Sequence, residues 1–180
     1  SWSAGYGAIG RILRQPLGKK VDALILLDSV YAGYLGKSKA LKAAPLKPFV
    51  AFARQAARRR KFMFQSHSSI QPPGYASTGE VSEYIVQKLG GRMRRSRRAD
   101  RYGLDLYERF DRGHYHVRGY RGRGKPDHCA PEDMPDGHGF PLMGKGRAKD
   151  DRADGDTGDP ARDACQSLDG EGHALRIRGR

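Results

Sequence analysis

The chain has 180 residues, with 34 Lys and Arg against 20 Asp and Glu, so its formal net charge is +14. This length allows one domain followed by a tail. The sequence contains no run of about 18 apolar residues, so we expect no membrane-spanning helix. Its two cysteines, Cys129 and Cys165, are too few for a disulfide framework.

Charge and composition change together near residue 130. Residues 1–130 carry 26 Lys and Arg against 9 Asp and Glu, a net charge of +17, whereas residues 131–180 carry 8 against 11, a net charge of −3. The second segment is rich in Asp, Gly and Pro and has few large apolar residues, so it buries too little surface to offset its chain entropy. We therefore predict a folded domain over 1–130 and a low-complexity, disordered tail over 131–180.

The first half of the domain predicts two helices and two strands. Ile9, Ile12 and Leu13 lie at helical spacing before Pro16, which ends the first helix. The run over 21–27, which is apolar except for Asp22, is typical of a buried parallel strand. A second helix is expected from Pro48 to about residue 59, and a second strand over 61–66.

The second half predicts one more helix and one more strand. Ser77-Thr78-Gly79-Glu80 is a capping-box pattern, and the helix it opens ends at Gly90-Gly91. A basic loop is expected over 92–101, and alternation over 115–120 predicts a third strand. Strands that alternate with helices indicate an α/β fold, with a partial parallel sheet of about three strands and flanking helices.

A serine near the N-terminus lies in a candidate nucleophile elbow. Ser1-Trp2-Ser3-Ala4-Gly5 is close to G-x-S-x-G, the sharp strand-to-helix turn that exposes a serine hydroxyl, although Ser1 replaces the first glycine. Ser3 would be the nucleophile, and the backbone N–H of Ala4 would supply half of an oxyanion hole. The alternative interpretation is an ordinary turn of small residues.

An acid and a histidine follow this serine in the order of a catalytic triad. Asp28 directly follows the first predicted strand, and His128 lies in the loop after the last one. Catalytic groups gather at the carboxyl ends of parallel strands. The order Ser, Asp, His is that of the α/β-hydrolase fold. The alternatives are a turn or helix-capping role for Asp28 and a solvated loop position for His128.

Four segments carry a resemblance to a known family: Ser3-Ala4-Gly5-Tyr6-Gly7-Ala8, Leu26-Leu27-Asp28, Pro73-Gly74-Tyr75-Ala76-Ser77-Thr78 and Asp127-His128-Cys129-Ala130. Over residues 1–130 the chain resembles the C-terminal half of bacterial α/β-hydrolase-fold proteins. The resemblance implies Ser3 as nucleophile, His128 as general base and Asp28 as the carboxylate that orients the base. It also implies hydrolysis of an ester or amide.

The resemblance departs from its family at the acid. Most members place the acid one strand later, where this sequence reads Gln65-Ser66-His67-Ser68-Ser69 and offers no carboxylate. A minority use the earlier strand, which favours Asp28. If the resemblance holds, the chain is an incomplete fragment, and alone it is expected to be poorly soluble with little hydrolase activity.

The remaining expectations concern ligands. Trp2, Tyr6, Tyr31 and Tyr75 are candidates for lining a pocket for a small ester or amide substrate, and Tyr34 falls in the same predicted loops. No cofactor is indicated. His67, His114 and His116 do not have the spacing of a metal site, so we expect no metal. Oligomeric state and cellular location are left open by the sequence.

The sequence also allows two alternatives to the hydrolase interpretation. The dense basic run Arg92, Arg94, Arg95, Arg97 and Arg98 could bind nucleic acid or another polyanion through phosphate contacts. No zinc-finger spacing or RNA-recognition signature accompanies it, so a solvated basic loop is the default interpretation. The other interpretation is a relic of the fold without activity.

Overall fold

The structure is a computed structural model that describes residues 1–100 and 103–122, apart from the side chain of Arg98. All of these residues belong to one compact unit. Three α-helices and five strands are present in this part of the chain. The helices are α1 Tyr6–Ile12, α2 Lys47–Ala57 and α3 Thr78–Lys88. The strands are β1 Ala23–Leu26, β2 Phe62–Ser68, β3 Arg94–Ala99, β4 Asp105–Arg112 and β5 Tyr115–Tyr120.

The five strands form one mixed sheet in the order β1-β2-β5-β4-β3. β1, β2 and β5 are parallel neighbours, and they correspond to the three predicted strands. On one face of this part lie buried residues such as Leu24, Leu26, Met63, Tyr115 and Val117. The α/β class and the parallel arrangement of these three strands are therefore confirmed.

The number of strands was underestimated because of the β3–β4 hairpin. The expected basic loop over 92–101 contains β3, and no pattern predicted β4, which pairs antiparallel with both β3 and β5. β3 reads Arg-Arg-Ser-Arg-Arg-Ala, so it lacks the apolar alternation that marks a strand. Its conformation depends on pairing with β4, whose Leu106 and Phe110 are buried.

The three helices pack against one apolar cluster, to which the sheet contributes one of its faces. Phe49, Ala53 and Ala56 of α2 and Val81 and Ile85 of α3 are all at most 1% exposed. α1 joins this layer, since Gly10 lies against the ring of Phe49. The helices therefore cover one face of the sheet, and this packed core supports the polar residues at the strand ends.

The capping box of α3 is confirmed in both of its hydrogen bonds. The Glu80 N–H donates to Ser77 Oγ at 3.2 Å, and the Ser77 N–H donates to Glu80 Oε2 at 2.9 Å. Gly90, with φ of 68°, ends the helix in the left-handed region as expected. No helix among the described residues has the length and apolar character needed to cross a membrane. The predicted tail over 131–180 lies outside the described residues.

Candidate active site at the carboxyl ends of the parallel strands

Residues 1–3 run beside β1 as a short extension of the sheet. The Leu27 N–H donates to the carbonyl of Ser1 at 2.8 Å, the Ser3 N–H donates to the carbonyl of Leu27 at 3.2 Å, and Trp2 forms a parallel bridge with Leu27. A 3₁₀ turn over Ser3–Gly5 then leads directly into α1. The chain here therefore passes from extended backbone to helix at Ser3.

The backbone of Ser3 is in the left-handed region, with φ of 46°. This conformation is uncommon for residues other than glycine and costs about 1–3 kcal/mol. Ser29 helps to hold it, since its hydroxyl donates to the carbonyl oxygen of Ser3 at 2.7 Å. A strained serine between an extended segment and a helix is the geometry that a nucleophile elbow requires.

The loop after β1 is strained in the same way. Asp28 has φ of 37° and Val30 has φ of 75°, and both residues are buried. A positive φ is a genuine outlier for a β-branched residue such as Val30. Strain of this kind persists only where the surroundings over-determine the backbone, and it clusters at functional sites. Ser3 and the 28–30 loop therefore form one strained region at the end of the sheet.

The carboxylate of Asp28 is 2% exposed and reaches the end of the neighbouring strand. Its Oδ1 accepts a hydrogen bond from the backbone N–H of Ser68 at 2.9 Å and another from the hydroxyl of Thr78 at 2.5 Å. The Asp28 N–H donates to Ser66 Oγ at 3.1 Å. The acid from β1 therefore lies at the carboxyl end of β2, the position at which the sequence provides no carboxylate of its own.

Tyr31 connects the serine with the acid. Its hydroxyl donates to the backbone carbonyl of Asp28 at 3.3 Å and lies within hydrogen-bonding reach of the Ser3 side chain. Burial, and after it the charge of Asp28, raises the pKa of Tyr31 to about 12. Tyr31 is therefore a neutral hydrogen-bonding group beside Ser3 at any physiological pH.

Three of the four aromatic pocket candidates lie together. The ring of Tyr31 is 5.8 Å from that of Tyr6 and 5.5 Å from that of Tyr75, the second pair meeting edge to face. Tyr75 is 43% exposed, so this cluster reaches the surface. Trp2 is bridged to Leu27 and so shares its face of the sheet, the one opposite Leu26. The rings of Tyr6, Tyr31 and Tyr75 therefore form one cluster, and its member Tyr31 interacts with Ser3.

Tyr34 has a separate structural role. Its hydroxyl donates to the carboxylate of Glu80, at 2.9 Å from Oε1 and 3.1 Å from Oε2. Burial alone would raise the pKa of Glu80, but hydrogen bonds from the Ser77 N–H and the Tyr34 hydroxyl hold it below its ordinary value. The loop after β1 is thereby tied to the N-terminus of α3.

A buried cluster around His67, close to this end of the sheet, is not predicted from the sequence. His67 is 1% exposed, its Nε2 lies 3.2 Å from Glu108 Oε1, and its Nδ1 lies 3.3 Å from the Tyr107 hydroxyl. The interaction with His67 lowers the pKa of Glu108, and burial followed by the Glu108 charge raises the pKa of Tyr107. The cluster can be recognised only once β4 is known, because Tyr107 and Glu108 belong to that strand.

The third member of the proposed triad is not placed by the structure. His128 lies outside the described residues, as do Asp127 and Cys129. Ala4 follows Ser3 in the 3₁₀ turn and is exposed. The structure therefore brings together Ser3, Asp28 and Tyr31, and the position of the base remains a prediction.

The candidates for polyanion binding lie at the opposite end of the sheet order. Arg94, Arg95 and Arg97 are exposed residues of the edge strand β3, and Arg92 precedes it. Among the described residues, no group of three or more His, Cys, Asp or Glu side chains could hold a metal ion. Comparison of the chain with protein-family models, curated proteins and solved structures gave no match.

Proposed function

We propose that the chain carries the nucleophile and acid of a serine hydrolase that cleaves an ester or amide through Ser3, His128 and Asp28. The observation that carries this proposal is the strained backbone of Ser3, at the junction between the extended segment beside β1 and the helix that follows. An ordinary turn of small residues has no need of a left-handed serine, because Gly5 and Gly7 are available nearby.

The surroundings of Asp28 support its assignment as the acid. Its carboxylate is buried and fixed by Ser68 and Thr78, so it would present a constant orientation to an incoming histidine. An acid in a triad holds the imidazole in one tautomer and stabilises the imidazolium. The Asp28 carboxylate lies at the end of β2. A histidine base would therefore meet it at the position where most α/β-hydrolases place an acid from that later strand.

The proposed reaction is acyl transfer in two halves. His128 accepts the hydroxyl proton as Ser3 Oγ attacks the carbonyl carbon, and the carbonyl oxygen takes the negative charge beside the Ala4 N–H. The carbon–leaving-group bond then breaks, and the leaving group takes the proton from His128. Water, deprotonated by the same histidine, cleaves the acyl-serine and restores the Ser3 hydroxyl.

The aromatic cluster supports a substrate with an apolar acyl or leaving group. The ring of Tyr31, which interacts with Ser3, packs against those of Tyr6 and Tyr75, and Tyr75 is accessible from outside. Aromatic walls with a few fixed polar groups are typical of small-molecule sites. Aromatic or medium-chain esters are therefore the substrates with which to begin.

The experiment that tests this proposal is labelling with a fluorophosphonate, which phosphonylates an activated serine. Labelling is a single-turnover event, so it reports the nucleophile even where turnover is slow. We expect attachment at Ser3, mapped by peptide mass spectrometry, and no attachment in Ser3→Ala. Asp28→Asn should keep most of the fold, since an amide oxygen can still accept from Ser68 and Thr78, and should slow labelling by about tenfold or more.

The matched control is Ser38→Ala, which removes an exposed loop hydroxyl that donates to the carbonyl of Leu35 at 2.7 Å. This variant should be labelled at the wild-type rate. Folded wild-type protein that resists the probe, or that is labelled equally in Ser3→Ala, would contradict the proposed function.

A further inference from the structure

We propose that the cleft beside the β3–β4 hairpin binds the phosphate group of a small phosphorylated ligand, held between Arg94 and Arg109. This site is independent of the hydrolase proposal, because it lies on other strands and uses none of the residues around Ser3. Four observations carry it: the register of the arginines, the cleft itself, the fixing of Arg112 and the position of Arg109 on an inner strand.

The register places three arginines in one row across three strands. Arg94 is directly opposite Arg109, and Arg109 is directly opposite Arg118. Arg118 donates to Asp111 at 2.8 Å, whereas neither Arg94 nor Arg109 has an ion-pair partner among the described residues. Like charges directly opposite each other destabilise a sheet, and their Cβ atoms lie about 4.5–5.5 Å apart. An anion between the two guanidinium groups would relieve this repulsion.

A cleft of about 530 Å³ lies beside these two arginines, between the end of α3 and the hairpin. Arg92, Arg94, Arg109 and Arg112 line it together with a single acid, Asp111, so the lining has a net charge of +3. Its volume falls in the range of about 300–1,000 Å³ that small-molecule sites occupy. A phosphate monoester or a diphosphate carries the charge that this lining would balance.

Part of the cleft wall is fixed before any ligand arrives. Arg112 donates to the carbonyl oxygens of Leu89 and Gly90, and its guanidinium lies 5.5 Å from the centre of the Phe110 ring. Because side chains alternate along β4, this fixed guanidinium closes the cleft on the face opposite the pair Arg94–Arg109. Met93 and Phe110 also line the cleft and offer apolar surface to the organic part of a ligand.

Protection of the sheet edge does not account for this arrangement. Charged side chains on an edge strand discourage pairing with another chain, which would explain the arginines of β3. Arg109, however, belongs to β4, which is paired on both sides. Arg95 is adjacent to Arg94 but is paired with Glu108, and its charge contributes to the lowered pKa of Glu108. The cleft is therefore lined by Arg94 and Arg109 but not by Arg95.

The test is calorimetric titration of the full chain with inorganic pyrophosphate at about 150 mM NaCl, where weak surface pairing is largely screened. We expect saturable binding to one site. Arg94→Gln and Arg109→Gln should each weaken binding by about tenfold, because each removes a charge-assisted hydrogen-bond donor. Arg95→Gln makes the same change of charge on the neighbouring residue and should stay within about twofold of wild type.

Two readouts keep the test decisive. At one pyrophosphate concentration near the wild-type dissociation constant, the ligand should raise the melting temperature of Arg95→Gln as much as that of the wild type, and that of Arg94→Gln and Arg109→Gln by much less, because their affinity is about tenfold lower. Without ligand, Arg94→Gln and Arg109→Gln should melt no lower than the wild type, because the repulsion between the facing charges is removed. The same titration with a short oligothymidylate separates a pocket from a diffuse basic face. Absence of saturable pyrophosphate binding would overturn the proposal. Equal weakening of binding by Arg94→Gln, Arg109→Gln and Arg95→Gln, measured with either probe, would also overturn the proposal, because it would indicate a diffuse basic face.

Discussion

The parallel part of the sheet and the β3–β4 hairpin differ in what holds them together. β1, β2 and β5 are covered by helices on one face, and residues such as Leu26, Met63 and Val117 are fully buried there. The hairpin is dominated by arginines, and the residues of β4 that it buries are Leu106 and Phe110. Burial therefore stabilises the first region, whereas the second depends on its pairing with β5. Local pattern therefore reveals the first kind of strand and conceals the second.

The largest expected effect is the loss of a leucine from the parallel part. Leu26→Ala should lower the free energy of unfolding by about 3–4 kcal/mol, because a fully buried side chain leaves a cavity that the packed core cannot fill. Leu106→Ala removes the same atoms from the hairpin, where the residue is 8% exposed, and should cost about 2 kcal/mol. Urea unfolding measures both. An equal or greater cost for Leu106→Ala would show that the hairpin has a core of its own.

Gly119 on β5 is the junction between the two regions. It pairs with His67 on one side and Glu108 on the other, and a Cβ there would lie 2.5 Å from His67 Cε1 and 2.8 Å from Glu108 Cγ. The absent side chain lets His67 meet Glu108 across the strand. Gly119→Ala should therefore cost about 2–3 kcal/mol through overpacking.

The control for this substitution is Gly7→Ala in α1. A Cβ at Gly7 would contact nothing within 4 Å, and the residue is helical, so alanine should be neutral or stabilising by about 0.5–1 kcal/mol. Both variants are compared by urea unfolding at neutral pH. A Gly119→Ala protein as stable as wild type would mean that the contact between His67 and Glu108 across β5 does not contribute to stability.

A smaller effect concerns pH. Interaction with His67 lowers the pKa of Glu108, so the folded state binds this proton less readily than the unfolded chain. The stabilisation is complete above the ordinary pKa of 4.5 and is lost as the pH falls through the lowered folded value. Glu108→Gln should remove about 1 kcal/mol of stability at neutral pH and flatten the acid limb of the stability curve.

The matched control for this pH profile is Glu83→Gln, which removes an exposed carboxylate from α3. Thermal unfolding followed between about pH 7 and pH 3 should give the wild-type acid limb for this variant. An acid limb in Glu108→Gln that is as steep as that of wild type would show that the His67–Glu108 contact contributes nothing to the coupling of the two regions.

Most of the helices and the three parallel strands were predictable because each depends on a local pattern. The capping box at Ser77 and Glu80 and the apolar run that contains β1 can be recognised without any partner. β3 and β4 depend on distant pairing: glycines flank β4, but the residues around Arg94 and Arg109 show no regular apolar alternation. Tertiary pairing therefore overrides a sequence that, taken alone, is typical of a solvated loop.

The candidate site divides in the same way. Ser3 and Asp28 were identified from a short motif and the end of an apolar run, and the structure places both in one strained region. The Asp28 carboxylate that accepts from Ser68 belongs to a loop whose residues 28 and 30 have left-handed backbone. Such conformations at Asp and Val have no signature in a single sequence.

The most direct test of the proposed convergence of Ser3, His128 and Asp28 is a double-mutant cycle on the rate of fluorophosphonate labelling. Asp28→Asn and His128→Ala should each slow labelling of Ser3, the second by about a hundredfold or more. Because the acid acts through the histidine, the double variant should be labelled no more slowly than His128→Ala alone. Losses that add on a free-energy scale would mean that Asp28 and His128 act apart, and the proposed triad would be wrong.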